Sequence, residues 1–496
     1  MSLVRGPLFF HNTLPCAVSR ARVKQDKVKF QFILSSWACG RIENHINTNI
    51  LFVSNRLQSP CDDMEMLPAI SLFASAGIGD LGLKAAKVKT ICANELLSDR
   101  ASLFIRNFPE CKVIKGDVYA HKEDIISTSK EILSGREPFL VLSTAPCQGM
   151  SSNGLGKLLS EVRKGNRPEL DPRNKLILPA LDITKELNPL WVSFENVVGM
   201  KNTVIENGGK LEKILDIINN VLGPEYTGCA YPVEMADYGV PQCRSRLITI
   251  YTKDKNGRKS LERGETLIPP PTHSSVETNG KKRWISVNEA IGKFSPLDGK
   301  TEESAKSKSQ YLHQVPVLDK DKYFWISNTP INETAFNNQC INPACGYQNN
   351  PRHGAARING INQAKKDTPL YCIKCGSLLP RPCVRDKKNG KLRLMNGYVS
   401  AYKRMNPNAP SPTITTNFSF PCSDNKIHPT QNRVLSFAEA CVLQTISKYE
   451  YKWEIVTDNG MRKAASVSLI REVIGESVPP QFIEQMCRYM RNISNL

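Results

Sequence analysis

The segment from Phe139 to Ser151 constrains this chain more than any other. A six-residue run with β propensity, Phe139-Leu140-Val141-Leu142-Ser143-Thr144, leads straight into Ala145-Pro146-Cys147-Gln148-Gly149-Met150-Ser151. A strand ending in Pro-Cys-Gln delivers a thiol to the carboxyl edge of a sheet, where open α/β sheets keep their active sites. Pro146 restricts the backbone before the cysteine, while Gly149 and Gly154 let the following loop bend. A lone loop cysteine is more often a packing residue than a nucleophile. The weight therefore rests on what else reaches the same edge.

Four further strands lead to that edge. Ile70 to Leu83 reads as strand, glycine turn (Ala74-Ser75-Ala76-Gly77-Ile78-Gly79-Asp80) and helix, the opening of a nucleotide-binding βαβ unit. Gly77 and Gly79 would let a ligand approach the backbone. The next strand, Lys89 to Ala93, ends at Asn94-Glu95, and an acidic residue after strand two is where such folds hydrogen-bond a ribose. A third, Lys112-Val113-Ile114, ends at Gly116-Asp117. No Gly-Lys-Ser/Thr phosphate clamp accompanies them, so an adenosine ligand without a triphosphate fits better than ATP. Leu190 to Phe194 then ends in Glu195-Asn196-Val197, placing a carboxyl acid next to the Cys147 thiol in topology. In Gln242-Cys243-Arg244-Ser245-Arg246, two arginines spaced by two on an extended segment would point to one side and hold a phosphate or carbonyl oxygen.

At 496 residues the chain has room for two to three domains, and its net charge of +19 suits a polyanionic partner. The charge is concentrated: residues 251–400 hold 25 Lys and Arg against 13 Asp and Glu, +12 of the total. Sixteen irregularly spaced cysteines do not form a disulfide framework in so long a chain. Neither a membrane-length apolar run nor a signal-peptide core is present, which implies a soluble protein of a reducing compartment. Residues 1–65 show no sustained period. They read as an extension of unknown role, or as upstream of a true start at Met64 or Met66, the second being preferred.

The ordered set of motifs resembles the DNA (cytosine-5)-methyltransferase family. It runs through Phe73 to Gly79, Asn94-Glu95, Pro146-Cys147-Gln148, Glu195-Asn196-Val197 and Gln242 to Arg246. It continues with Pro410-Ser411-Pro412-Thr413-Ile414-Thr415-Thr416, His428-Pro429 through Arg433, and Gly475-Glu476-Ser477-Val478-Pro479-Pro480. The resemblance implies a Rossmann-like α/β domain with a mainly parallel sheet that uses S-adenosylmethionine, an inserted target-recognition domain, and a C-terminal segment folding back beside the cofactor strand. It implies that Cys147 adds to carbon 6 of a flipped cytosine, that Glu195 acts at ring nitrogen 3, and that Arg246 with Arg244 steadies the base carbonyl and the thiolate. Phe73 would pack on the adenine or the sulfonium side, Glu95 would bind the ribose, and Asp117 would lie near the adenine amino group. Gly77, Gly79, Pro146, Glu476, Ser477 and Val478 complete the cofactor contacts. Two positions depart from the family pattern: Glu476 replaces the usual Asn, and Cys243 replaces a commoner polar or basic residue.

The insert has its own signature. Cys340-Ile341-Asn342-Pro343-Ala344-Cys345-Gly346 and Cys372-Ile373-Lys374-Cys375-Gly376 form two cysteine hairpins that can close a four-cysteine, zinc-ribbon-like site for structural zinc, with iron the alternative. His353 and Cys383 are nearby spares. Lys281-Lys282-Arg283-Trp284 and the stretch Arg381 to Arg393 are candidate phosphate and base contacts. The expected division is 66–255 and 401–496 for catalysis and 256–400 for recognition. The expected activity is site-specific methylation of double-stranded DNA by a cytoplasmic prokaryotic monomer, as the protective half of a restriction-modification system paired with an endonuclease. A tRNA methyltransferase, a DNA-binding protein with an inactive core and a zinc-ribbon adaptor are the alternatives.

Overall fold

The apolar runs become strands buried on both faces. β1 (Leu67–Leu72), β2 (Val88–Glu95), β3 (Lys112–Lys115), β4 (Leu140–Ser143), β5 (Trp191–Asn196), β6 (Thr227–Glu234) and β7 (Ser245–Thr252) form one sheet, ordered β3-β2-β1-β4-β5-β7-β6. The computed structural model describes residues 66–146, 149–150, 171–278, 280–358, 361–365, 367–457 and 459–496. The expected extension at 1–65 and the expected nucleophile Cys147 lie outside the described residues. Neighbours from β3 to β5 pair in parallel, whereas β7 runs antiparallel to both β5 and β6. The mainly parallel sheet expected from the sequence is therefore present, with one reversed strand.

Period-two alternation sends successive residues to opposite cores. Ile70, Leu72, Val141, Val192 and Phe194 face helices α3 (Lys122–Leu133), α4 (Ile177–Leu187) and α5 (Ile214–Leu222) through Ile125, Ile183, Leu187 and Ile217. Ala69, Leu140, Leu142, Trp191 and Ile250 face the other way, against Phe482, Ile483 and Met486. Those three belong to the last helix, Pro480–Ser494, which packs on α1 (Ile78–Ala85). A Cβ on Gly82 would stand 2.2 Å from the Pro480 carbonyl oxygen, so only glycine admits the contact. Arg491 donates to Ala86 O at 2.8 Å. The C-terminal segment does return beside β1, as expected.

A third core joins α1 and α2 (Ser98–Asn107) to the late segments through Ile78, Leu81 and Leu103 against Ile414, Phe437, Leu443 and Ile474. A fourth belongs to the insert and draws on Leu297, Trp325, Ile326, Phe336, Tyr402, Ile427 and Val434. Leu267, Ile268, Val287 and Ile291 pack with the catalytic cores instead. This core thus joins residues 297–336 to side chains of the late segment between 401 and 434, so it straddles the boundary set at 400. Among the described residues no helix is long and apolar enough to cross a membrane.

Candidate active site

Strand ends β1, β2, β4 and β5 converge at one edge. After Leu72 the chain turns sharply, with positive φ at Phe73 (57°), Ser75 (48°) and Gly77 (75°). The Glu95 carboxylate at the end of β2 holds this turn: Ser75 N donates to Oε2 at 2.8 Å and Leu97 N to Oε1 at 2.9 Å. Each oxygen keeps a lone pair, so a ribose hydroxyl could still be accepted. The two glycines differ in task. A Cβ on Gly77 would press on Phe104 and Phe108 at 2.6–3.0 Å, whereas one on Gly79 would meet nothing within 4 Å. Gly79 thus leaves open space beside the backbone. Asp117, exposed beyond β3, accepts from Tyr119 N at 2.7 Å. Asn94 ties the β2 and β3 ends together by donating to Ile114 O and Gly116 O.

Beneath the turn lies a residue that motif reading passed over. Asp80 is buried on α1, accepts from Thr90 Oγ1 at 2.7 Å and Ser71 Oγ at 3.3 Å, and has its pKa pushed up to about 6 by burial. Only its place inside an apolar helix face could have signalled it.

The β4 end is bound to its neighbours just before Cys147. Thr144 Oγ1 donates to Phe73 O at 3.0 Å, and Asn196 Nδ2 donates to Ala145 O at 3.1 Å. Past the thiol, a Cβ on Gly149 would strike Asn174 Oδ1 at 2.5 Å, and one on Gly199 would strike Met150 O at 2.1 Å. Ala145, Gly149 and Met150 are thus in close contact with neighbouring segments, and Pro146 is half-buried. On β5, Glu195 lies opposite Ile248 of β7, and its Oε1 sits 3.0 Å from Arg246 Nε. Their side chains are 10% and 13% exposed, enough enclosure for the pair to feel a reduced dielectric.

Arg244 does not share that face. It falls between the two-residue strand Gln242–Cys243 and β7, so strand periodicity is broken there and the two arginines diverge. Its 2%-exposed side chain donates to Ile414 O (2.9 Å), Gly475 O (3.3 Å) and Glu476 O (3.4 Å). Among the described residues Arg244 thus braces the late segments, while Arg246 meets Glu195. Gln242 works alongside it, donating to Leu443 O and Gln444 Oε1 and accepting from Ile414 N. Gln444 in turn donates to Ser477 O and Oγ, which places Ser477 and Val478 in the buried junction. Glu476 is only partly exposed and pairs with Arg100 Nη1 at 2.6 Å. Burial raises its pKa, helped by Glu472 and Glu95 and opposed by Arg100. The nearby Glu95 puts Glu476 at the same edge.

Further from the edge, the four cysteine sulfurs at 340, 345, 372 and 375 lie within 4.8 Å of one another, with Cys340–Cys375 at 3.7 Å and Cys345–Cys372 at 4.0 Å. Tetrahedral zinc–thiolate bonds of about 2.3 Å need sulfur separations of about 3.8 Å, so the donor set fits. His353 is not part of it. Its ring nitrogens bond Thr368 Oγ1 and Gly397 O, and the ring stacks on Phe336. Cys383 sits on β8 (Cys383–Arg385), which pairs with β9 (Leu392–Leu394). Arg381 is fully buried and donates to Asn338, Pro351 and Pro369 carbonyls, a brace rather than a surface contact. Trp284 Nε1 bonds Asp237, while Lys281, Lys282 and Arg283 stay exposed.

A family model described as C-5 cytosine-specific DNA methylase matches residues 67–492. Type II methyltransferase M1.HgaI of Avibacterium volantium is 27% identical over 432 residues, covering 85% of this chain and 98% of that protein. Type II methyltransferase M.DdeI of Desulfomicrobium norvegicum is 24% identical over 439 residues, covering 86% and 89%. Among solved structures, the S. pombe Dnmt2 methyltransferase superposes with a TM-score of 0.44 at 12% identity, over 87% of this chain and 100% of that one. The strand-end constellation and the match across 67–492 lead to one conclusion: the chain belongs to the C-5 cytosine-specific DNA methylase family and is a DNA (cytosine-5)-methyltransferase.

Proposed function

We propose that this enzyme methylates cytosine within one short duplex sequence, through a covalent adduct between Cys147 and carbon 6, as the protective half of a restriction-modification system with a partner endonuclease. The observation that carries the reading is the enclosed Arg246–Glu195 pair, one hydrogen-bonded strand end away from the residues leading into Cys147. Carbon 5 of cytosine is a poor nucleophile. Addition of the Cys147 thiolate to carbon 6 moves ring electrons toward nitrogen 3, where Glu195, protonated as the base enters, donates a proton that it takes back when the thiolate leaves, and carbon 5 becomes electron-rich. S-adenosylmethionine supplies the methyl group as an electrophile. Loss of the carbon 5 proton to a base then returns electrons to the ring and expels the thiolate. Arg246 orients the Glu195 carboxyl and faces the base carbonyl. Attack above the ring plane requires the cytosine to leave the stack, at a cost of a few kcal/mol.

The donor would be held by the Phe73–Gly79 turn, the Glu95 carboxylate, Asp117, Pro146 and the Glu476–Val478 segment. A glycine turn with open space beside it and a buried carboxylate suit an adenosine without phosphates. The insert would read duplex DNA. The β8–β9 hairpin presents Arg385, Lys387, Lys388, Lys391 and Arg393 to solvent, on a two-stranded ribbon that a major groove can admit. A structural zinc on the four cysteines would fix the neighbouring turns. The enzyme would act as a monomer in the cytoplasm. Bisulfite sequencing of DNA from cells expressing the chain tests the whole reading. Protection at one short motif is expected; protection nowhere in DNA, or only in tRNA, would refute it.

A further inference from the structure

We propose that the segment between the helix Phe437–Leu443 and the helix Val467–Glu476 sets the shape of the Phe73–Gly77 turn through the Tyr451 hydroxyl, making Tyr451 a positioning residue for methyl-donor binding. This rests on the reading of that turn as the S-adenosylmethionine site. The turn is locally unfavourable, because Phe73 and Ser75 both carry a Cβ at positive φ. Such a conformation persists only when its surroundings over-determine it. Three bonds come from the sheet side, Ala74 N to Asn94 O, Ser75 N to Glu95 Oε2 and Thr144 Oγ1 to Phe73 O, and Gly77 N closes the turn on Ala74 O. The opposite side is held from 375 residues away, where Tyr451 Oη donates to Ala76 O at 2.7 Å.

The tyrosine is itself clamped. Its ring packs edge-on against Trp453, with centroids 4.7 Å apart. The adjoining Lys452 backbone accepts from Asn107 Nδ2 at 3.0 Å and donates to Asn107 Oδ1 at 2.7 Å. Glu454, on β10 (Glu454–Val456, paired with β11, Arg462–Ala464), bonds Arg106 Nε at 2.9 Å. Both Asn107 and Arg106 end α2, the helix whose Phe104 fills the space under Gly77. The turn is thus gripped between α2 and a strap fastened to α2. Burial keeps the phenol protonated well beyond the ordinary tyrosine range, so it remains a donor at any working pH.

Tyr451→Phe removes one hydroxyl and keeps the ring. Losing a neutral hydrogen bond of ordinary strength should weaken binding about 2- to 10-fold. The full-length variant should show that loss in calorimetric affinity for S-adenosylhomocysteine without DNA, and in KM for S-adenosylmethionine. Its kcat at saturating donor and its KM for DNA should stay near wild type. Amide exchange at residues 73–77 should quicken in the cofactor-free protein. Asn107→Ala, which unfastens the strap without touching the turn, should move affinity in the same direction. Wild-type affinity and unchanged exchange in Tyr451→Phe would overturn the proposal. So would a loss that merely tracks a fall in Tm and a rise in the KM for DNA. If the wild-type chain binds the homocysteine product but methylates no DNA, the functional reading fails while the affinities still decide this one; if it binds none, both fail.

Discussion

The Glu195–Arg246 pair permits a quantitative test of whether two side chains act as one catalytic unit. At about 4 Å between charge centres and an effective dielectric near 20, their attraction is about 4 kcal/mol, partly offset by the desolvation of two groups that are 10% and 13% exposed. A net coupling of about 1–3 kcal/mol is therefore expected. Glu195→Gln keeps shape and hydrogen bonding but loses the proton, which should lower the chemical step by about 10²–10⁴. Arg246→Leu leaves Glu195 without its partner and should lose about 10² by misorienting the carboxyl. Independent effects would multiply, giving about 10⁴–10⁶ for the double variant. A unit behaves otherwise: once Glu195 has lost its proton, the arginine has little left to orient, and the double variant should be no slower than about the worse single. Single-turnover transfer of labelled methyl at saturating DNA and donor isolates the step. Multiplicative losses would refute the coupling, and a loss confined to donor affinity would remove Glu195 from the chemistry.

Cys147→Ser should abolish methyl transfer while DNA binding in a mobility-shift assay persists, because a hydroxyl near neutral pH is far less ionised than a thiol; wild-type turnover would end that assignment. Replacing Cys372 and Cys375 with serine should release about one metal ion per chain and weaken sequence-specific DNA binding, yet spare donor affinity. A well-folded, active wild-type preparation without zinc or iron would contradict the site. Acid should destabilise the protein through His428. Burial, reinforced by Arg433 and Arg404, depresses its pKa to about 3, and Nδ1 accepts from Thr430 N and Gln431 N, which requires a neutral ring. A depressed folded pKa means that stability is fully present above the unfolded value near 6.5 and is lost as pH falls toward 3. Urea midpoints between pH 7 and 4 should fall more steeply for wild type than for His428→Asn, and parallel slopes would show that another group governs.

Strand ends were legible in the sequence because each apolar run is short and stops at a polar residue that cannot continue into a core. Phe139 to Ser143 running into Pro146, and Leu190 to Phe194 running into Glu195, are of this kind, and both sit at the sheet edge. The two cysteine hairpins were legible because ligand spacing is a local property. What stayed hidden depends on partners far along the chain. Arg244 and Arg246 look equivalent two residues apart, yet a strand break between Cys243 and Ser245 sends one to Ile414 and the other to Glu195. Arg381 looked like part of a basic surface run, but three carbonyls from distant turns capture it. A charged residue in a basic stretch carries no local sign of burial. Composition marks where charge changes, whereas a core is marked by side chains that meet across the chain: Leu267 joins the core of the sheet and the last helix, and Val434 joins the core that holds Trp325 and Ile326.

The insert is not hung from the catalytic domain by a flexible hinge. Ser411 and Pro412 pair in parallel with Gln242 and Cys243, so the returning chain lies against the strand from which the insert departs. Thr413 Oγ1 adds a bond to Cys243 O, and Arg244 reaches Ile414 O. Arg404, buried, donates to Ile326 O and Thr329 O on the insert and to His428 O, Gln431 O and Asn432 Oδ1 on the returning segment. Arg433 follows at once, held bidentately by Glu439 at 2.7 Å on both arms, with neither side chain exposed. That glutamate also closes the capping box of the helix Phe437–Leu443 with Ser436. The helix then carries Gln444 to Gln242 and Ser477. Each step is a buried polar contact whose removal would strand a partner, so the cost of bending the path at any one of them is high. The insert, on the proposed reading the DNA-reading part, and the strand that carries Arg246 are therefore linked by one continuous run of buried polar contacts. A base presented in the wrong register would be misplaced at the thiol rather than accommodated by movement of the insert.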